Sequence, residues 1–228
     1  MSYLLAVYRD WEPYETDLFK KLISPGATVL DVGAHIGYFT LLASTLAGPA
    51  GRVFAFEPEP RNRALLEKNA RSNQRANVMV VPKGVSDKPG KFQLHLNAKN
   101  KGAHSLFALR RDGPSVEIET LALGPWMKEN GVVPDFIKMD VEGGEWLALA
   151  GMSEFLEQNT RLTILLEYFP EALRRSGREP REWLDKLTAL CFRLHYIDEA
   201  KRQLRAMQAK EIEAGFTTAT CNLLCVRD

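Results

Sequence analysis

Cysteine is scarce in this chain of 228 residues, which has three, at 191, 221 and 225. So small and odd a number cannot build a disulfide framework and fits a reducing compartment, so a cytoplasmic protein is expected. Cys221 and Cys225 also fail as a metal pair, because in a strand they would share a face yet lie roughly 13 Å apart at about 3.3 Å per residue. Net charge is nearly absent too: thirty Lys and Arg against twenty-nine Asp and Glu leave +1, so no global field gathers nucleic acid or an anionic membrane surface. A long apolar run is missing. The stretch Tyr3 to Tyr8 is far shorter than a span and has no basic segment before it, so neither a membrane helix nor a signal peptide is expected. Internal repeats and low-complexity linkers are missing as well. What is present, 45% apolar residues, suffices for one sizeable core, and a single domain over residues 1–228 is the expectation.

Apolar runs alternate with amphipathic segments, which predicts an α/β fold around a mostly parallel sheet. Thr28 to Val32 reads as a strand and Ile36 to Ala47 as the helix after it, stopped by Gly48 and Pro49. Arg52 to Phe56 and Asn77 to Val81 read as the next strands, with a helix from Arg61 to Ser72 between them. Two alternating runs, Phe92 to Leu96 and Val116 to Thr120, predict a β-rich insertion around residues 85–120. Pro134 to Met139 and Arg161 to Leu166 read as further core strands, with a helix beginning at Glu145 and another from Pro180 to Leu190. The late runs Arg193 to Ile197 and Thr220 to Val226 predict a C-terminal antiparallel hairpin at one sheet edge, joined by the charged segment Ala200 to Glu213.

The segment Asp31-Val-Gly33-Ala-His35-Ile-Gly37 lies where the first strand becomes a helix, a junction that presents backbone N–H groups and lets a ligand come close. It departs from the dinucleotide fingerprint Gly-x-Gly-x-x-Gly, since His35 takes the middle glycine position, and this argues against NAD. A methionine-nucleoside presents an ammonium, a carboxylate and a ribose diol. It calls for an acid near the loop and another after the second strand, where Asp31 and Glu57 stand; a carboxylate accepts hydrogen bonds from both ribose hydroxyls. Gly33 and Gly37 are expected to let backbone and ligand meet without an intervening Cβ. Ser86, just after the third strand, is a candidate for the adenine edge, or the start of the turn Ser86 to Gly90.

Three ordered blocks carry a resemblance: Val-Leu-Asp-Val-Gly-Ala-His-Ile-Gly-Tyr-Phe-Thr at 29–40, Phe-Glu-Pro at 56–58, and Asp-Phe-Ile-Lys-Met-Asp-Val-Glu-Gly-Gly-Glu at 135–145. Through them the chain resembles the FkbM-type methyltransferases, and the likeness continues weakly through Lys101-Gly-Ala-His104-Ser105-Leu and Asn222-Leu-Leu. The resemblance implies a Rossmann-like class I methyltransferase fold, S-adenosylmethionine as cofactor, and transfer to a hydroxyl oxygen, often on a sugar or a polyketide-like natural product. His35 stands where the family usually has Asn, and Gly124 where it commonly has Asp.

Lys138, Asp140 and Glu142 alternate at the end of the fourth core strand and would share one side if the chain stayed extended. They are the candidate reacting centre; charged alternation on the solvent face of an edge strand is the other reading. The favoured chemistry is metal-free O-methylation of a small-molecule hydroxyl; magnesium or calcium held by Asp140, Glu142 and Glu167 at the ends of two neighbouring strands is the alternative. Asp31, Gly33, His35, Gly37, Glu57 and Ser86 would hold S-adenosylmethionine, and Asp140 would orient and deprotonate the acceptor with Glu142 and Lys138 beside it. No nucleic-acid or membrane partner is expected. The competing readings are N-methylation of protein or nucleic acid, for which no Asn-Pro-Pro-Tyr-type motif follows the fourth core strand, and a non-catalytic cofactor-binding module.

Overall fold

The computed structural model describes residues 11–97, 104–105 and 113–227. The stretch Tyr3 to Tyr8, and Lys101 to Ala103 and Leu106 of the weak family block, lie outside the described residues. The chain runs α1 (Pro13–Leu22), β1 (Thr28–Val32), α2 (Tyr38–Ala47), β2 (Arg52–Phe56), α3 (Pro60–Ser72), β3 (Val78–Val81), β4 (Gly84–Val85), β5 (Gly90–His95) and β6 (Ser115–Leu121). It continues with α4 (Leu123–Asn130), β7 (Phe136–Met139), α5 (Glu145–Ala150), α6 (Ser153–Gln158), β8 (Leu162–Tyr168), α7 (Pro170–Arg175) and α8 (Pro180–Ala189). It closes with β9 (Arg193–Asp198), β10 (Gln203–Ala206), α9 (Ala209–Gly215) and β11 (Cys221–Arg227).

Eight strands form one sheet in the order β10-β9-β11-β8-β7-β1-β2-β3. The pairs from β8 to β3 are parallel, and those joining β8, β11, β9 and β10 are antiparallel. This is the Rossmann-like class I methyltransferase architecture, mostly parallel with an antiparallel C-terminal part. β1 and β7 are buried along their whole length, as expected of parallel strands covered on both faces. Strand order reverses at β1, which sends the chain outward through β2 and β3 on one side and later through β7 and β8 on the other. Such a reversal opens a crevice at the carboxyl ends of the strands, where open α/β sheets take ligands.

The expected antiparallel pairing of the two late strands is present, but they do not form the sheet edge. β9 turns directly into β10, which forms the sheet edge, and β11 lies inside the sheet between β8 and β9. The charged connection from Ala200 to Glu213 was too polar to signal a strand, yet it holds β10, whose residues are all exposed, and most of α9. An edge strand facing solvent has no buried face to impose an apolar alternation.

Helix α1 has no counterpart in the sequence reading. Its own N-cap residue, Glu12, makes no capping bond; instead Glu199, after β9, accepts the backbone N–H groups of Tyr14 at 2.7 Å and Glu15 at 3.1 Å. A carboxylate there satisfies two orphan donors and opposes the helix dipole. Phe19 locks the helix down, with its ring 5.1 Å from Phe39 and 5.2 Å from Phe136.

A second sheet, β4-β6-β5, stands apart from the first. Its buried positions Val85, Leu94 and Ile118 come from three different strands.

Candidate active site

Beyond β1 the chain turns through residues with positive φ: Gly33 at 87°, His35 at 50° and Gly37 at 94°. Histidine, like asparagine, tolerates the left-handed region better than most side chains, so the family's Asn position accepts His35 on backbone grounds. Gly33 and Gly37 are also required by the packing of the protein itself. A Cβ on Gly33 would lie 1.9 Å from the Asp140 carbonyl oxygen, and one on Gly37 would lie 2.5 Å from Leu66 Cδ1. Their bareness lets the loop after β1 pack against the end of β7 and against α3, and Gly33 also lines the cleft described below.

Glu57, at the end of β2, is almost fully buried. One carboxylate oxygen accepts the His35 backbone N–H at 2.8 Å and the other accepts the Glu59 backbone N–H at 2.8 Å. Burial pushes the carboxyl up to about 8 against these two hydrogen bonds, and the Glu59 and Asp31 carboxylates push the same way. Each oxygen keeps a free lone pair. Glu57 lines a cleft with about 570 Å³ of empty space, counting its open mouth, together with Gly33, His35, Asn62, Asp140 and Glu142. Val32, Phe56, Val85, Leu94 and Ile118 supply apolar wall, and His104 completes it. Two acceptor oxygens beside aliphatic side chains supply the kinds of contact that a ribose diol and a base call for.

Asp31, Gly37 and Ser86 are off that wall. Asp31 is buried beneath the loop, accepts a hydrogen bond from Thr40 Oγ1, and is in register with Lys138 across the sheet. Ser86 is fully buried and donates to Asp87 at 3.1 Å. Asn62 and the three aliphatic residues of the second sheet were missed as cleft-lining residues; the alternation at Leu94 and Ile118 was the available signal.

Lys138, Asp140 and Glu142 do converge, but on a turn and not on an extended strand. β7 ends at Met139, and Glu142 takes a φ of 53° followed by Gly143 at 96°. Lys138 Nζ lies 3.1 Å from Asp140 Oδ2 and 4.5 Å from the centre of the Phe39 ring. Burial opposes the lysine's charge, yet Asp140, Glu15, Asp31 and Glu12 around it hold its pKa above the usual lysine value. Glu12 and Glu15, absent from the sequence reading, arrive from the start of α1, where Asn222 of β11 donates to both. Burial raises both carboxyls. Glu142 is pushed up to about 7 by burial and then by Asp140, and Glu167, at the end of β8, to about 10 by burial and then by Asp140 and Glu145. Glu15 Oε1 and Glu167 Oε2 have no hydrogen-bond partner. Acids thus outnumber the single lysine at this end of the cleft. Among the described residues no three His, Cys, Asp or Glu side chains are placed to hold a metal ion, and no helix is long and apolar enough to cross a membrane.

Residues 31–194 match the family model described as the methyltransferase FkbM domain. No curated protein matches the sequence significantly. Among solved structures, the chain is similar to a precorrin-6y C5,15-methyltransferase from Geobacter metallireducens, with a TM-score of 0.50 and 13% identity over 93% of this chain and 87% of that one. It is similar to a methyltransferase FkbM from Methylobacillus flagellatus, with a TM-score of 0.50 and 14% identity over 92% of this chain and 50% of that one. A Streptococcus mutans methyltransferase in complex with SAH has a TM-score of 0.50 and 9% identity, over 94% of this chain and 96% of that one. At these identities the likeness is one of fold.

Proposed function

The chain belongs to the FkbM methyltransferase family, whose members use S-adenosylmethionine, and we propose that it transfers the methyl group to a hydroxyl oxygen of a small polyhydroxylated acceptor such as a sugar or natural product. The observation that carries this reading is that one cleft wall joins Glu57 to Asp140 and Glu142. A diol-binding carboxylate and a pair of acids, of which Glu142 is pushed up to about 7, therefore face the same space. When bound, S-adenosylmethionine supplies an activated methyl group on a sulfonium. Glu57, Gly33 and His35 hold its nucleoside; Asp31 acts at one remove, through Lys138 and Thr40.

The protein's own contribution is positioning and one proton transfer. An alcohol is a poor nucleophile until it loses its proton, and a base is most effective when its pKa lies near the working pH. Glu142, pushed up to about 7, meets that condition, so it takes the hydroxyl proton while Asp140, paired to Lys138 at 3.1 Å, orients the acceptor. Among the described residues no Lys or Arg lines the cleft, so nothing there recruits a polyanion, which favours a small neutral acceptor over nucleic acid.

Two measurements test the assignment. S-Adenosylhomocysteine should raise the melting temperature by mass action and NAD should not. In a screen of hydroxylated small molecules with methyl-labelled donor, the label should appear in a methyl ether. A methylated amine as the product, or label transferred to RNA or protein in preference to every small acceptor, overturns the hydroxyl reading.

A further inference from the structure

We propose that Ser105 is a positioning residue that holds the Glu142 turn in its left-handed conformation and so keeps the Glu142 carboxyl in the cleft beside Asp140. The inference rests on the reading of Glu142 as the base. Ser105 Oγ donates to the Glu142 backbone carbonyl oxygen at 2.7 Å. Ser105 is itself clamped to β5, since His95 N donates to its carbonyl at 2.8 Å and its own N–H donates to the His95 carbonyl at 3.2 Å. The second sheet therefore reaches across the cleft and grips the backbone of a residue that the first sheet supplies.

The grip is needed because the turn is strained. Glutamate has no intrinsic preference for a φ of 53°, and the steric cost of the left-handed region for a residue with a Cβ is comparable to the net worth of one hydrogen bond. The far side of the turn is fixed separately: Glu145 Oε1 accepts the Val141 N–H at 2.9 Å, and Gly143 packs so tightly that a Cβ there would lie 2.3 Å from Ala172 Cβ. Ser105 is the only described side chain shown bonding to Glu142 itself. Its serine hydroxyl also links two functions, because neighbouring His104 lines the nucleoside cleft. Ser105 therefore couples the wall of the cofactor site to the conformation of the base.

Glu142 faces Lys138 and Asp140 from β7, Glu12 from the start of α1, Glu145 from α5 and Glu167 from β8, with His104 on the same cleft wall. A carboxyl released from this surround into water returns towards its ordinary value. The test follows the Glu142 carboxyl by carbon NMR in protein labelled at glutamate side chains, with the signal assigned by its disappearance in Glu142→Gln. In the wild type the midpoint should lie near 7. In Ser105→Ala it should fall by about one unit or more, and Ser105→Thr, which keeps the hydroxyl, should restore it. Ser105→Cys has nearly the same volume and a much weaker donor, so it should move the midpoint in the same direction if the alanine variant fails to fold. An unmoved midpoint in folded Ser105→Ala or Ser105→Cys overturns the proposal. A midpoint that moves in these variants, alongside full methyl transfer by Glu142→Gln, upholds the positioning role and removes Glu142 from the chemistry, so the two ideas fail separately.

Discussion

The two ends of the cleft are built on opposite principles. At the end proposed for the nucleoside, the buried Glu57 has both oxygens committed to backbone N–H groups of its own neighbourhood, 22 and 2 residues away in the chain. At the end proposed for the acceptor, Glu12, Glu15, Asp140, Glu142 and Glu167 gather around Lys138 from three places, the start of α1, the end of β7 and β8, and two of their oxygens have no partner. Buried acids without enough counter-charge cost folding free energy, and a structure that keeps them is arranged for a proton or a ligand that passes through. The nucleoside end is a finished socket; the acceptor end is held under electrostatic tension.

That contrast sets the ranking of expected effects. Glu142→Gln, which keeps shape and removes the base, should lower turnover with a confirmed acceptor by about 10²–10⁴-fold, the usual worth of a general base, while leaving S-adenosylhomocysteine affinity nearly intact in calorimetry. Asp140→Asn should fall within the same range through loss of orientation. Full turnover in both variants would place the chemistry elsewhere.

Next in size is Lys138→Met. Removing the single cation from a buried acid cluster should cost about 3–5 kcal/mol in urea unfolding at pH 8. The loss should shrink towards pH 5, where the surrounding carboxyls take up protons. Equal losses at both pH values would mean that Lys138 matters for packing against Phe39 and not for charge. Glu57→Ala should then weaken S-adenosylhomocysteine binding by about 1.5–3 kcal/mol, the range for hydrogen bonds to a charged group. An affinity unchanged in a folded variant would leave Glu57 as a loop brace only.

The smallest effect concerns Glu167. Its folded pKa, about 10, lies above the ordinary carboxyl value, so the stability it contributes is present in full below the ordinary value and is lost as pH rises towards 10. Glu167→Gln removes that loss. The variant should melt about 2–4 °C above the wild type at pH 8, the shift expected for roughly 1 kcal/mol in a chain of this size, and the gap should close at pH 4. A variant that melts below the wild type at pH 8 would show that the carboxylate is paired in solution.

The same contrast explains what was legible in the sequence. Glu57 and the loop after β1 were readable because their partners are near in the chain and the turn chemistry is local. The alternation of Lys138, Asp140 and Glu142 assumed an extended chain, whereas Glu142 arrives through a left-handed turn. The direction of Asp31 was not legible: β1 is buried on both faces, so no apolar-polar alternation marks which side a polar residue takes. Glu12, Glu15 and Asn222 carry no local pattern at all, because only tertiary packing of α1 on β11 and β7 gives them a common centre.

The capping of α1 by Glu199 and the grip of Asn222 on Glu15 span sequence separations of 184 and 207 residues. Contacts so distant are formed late, after the loop between them has been closed. During synthesis, which delivers the chain from its N-terminus, the loop after β1, Glu57 and the strands beside them can assemble while α1 still waits for the strands that will receive it. The acidic cluster is therefore complete only once the last strand has docked, because Glu12 and Glu15 meet Asn222 on that strand.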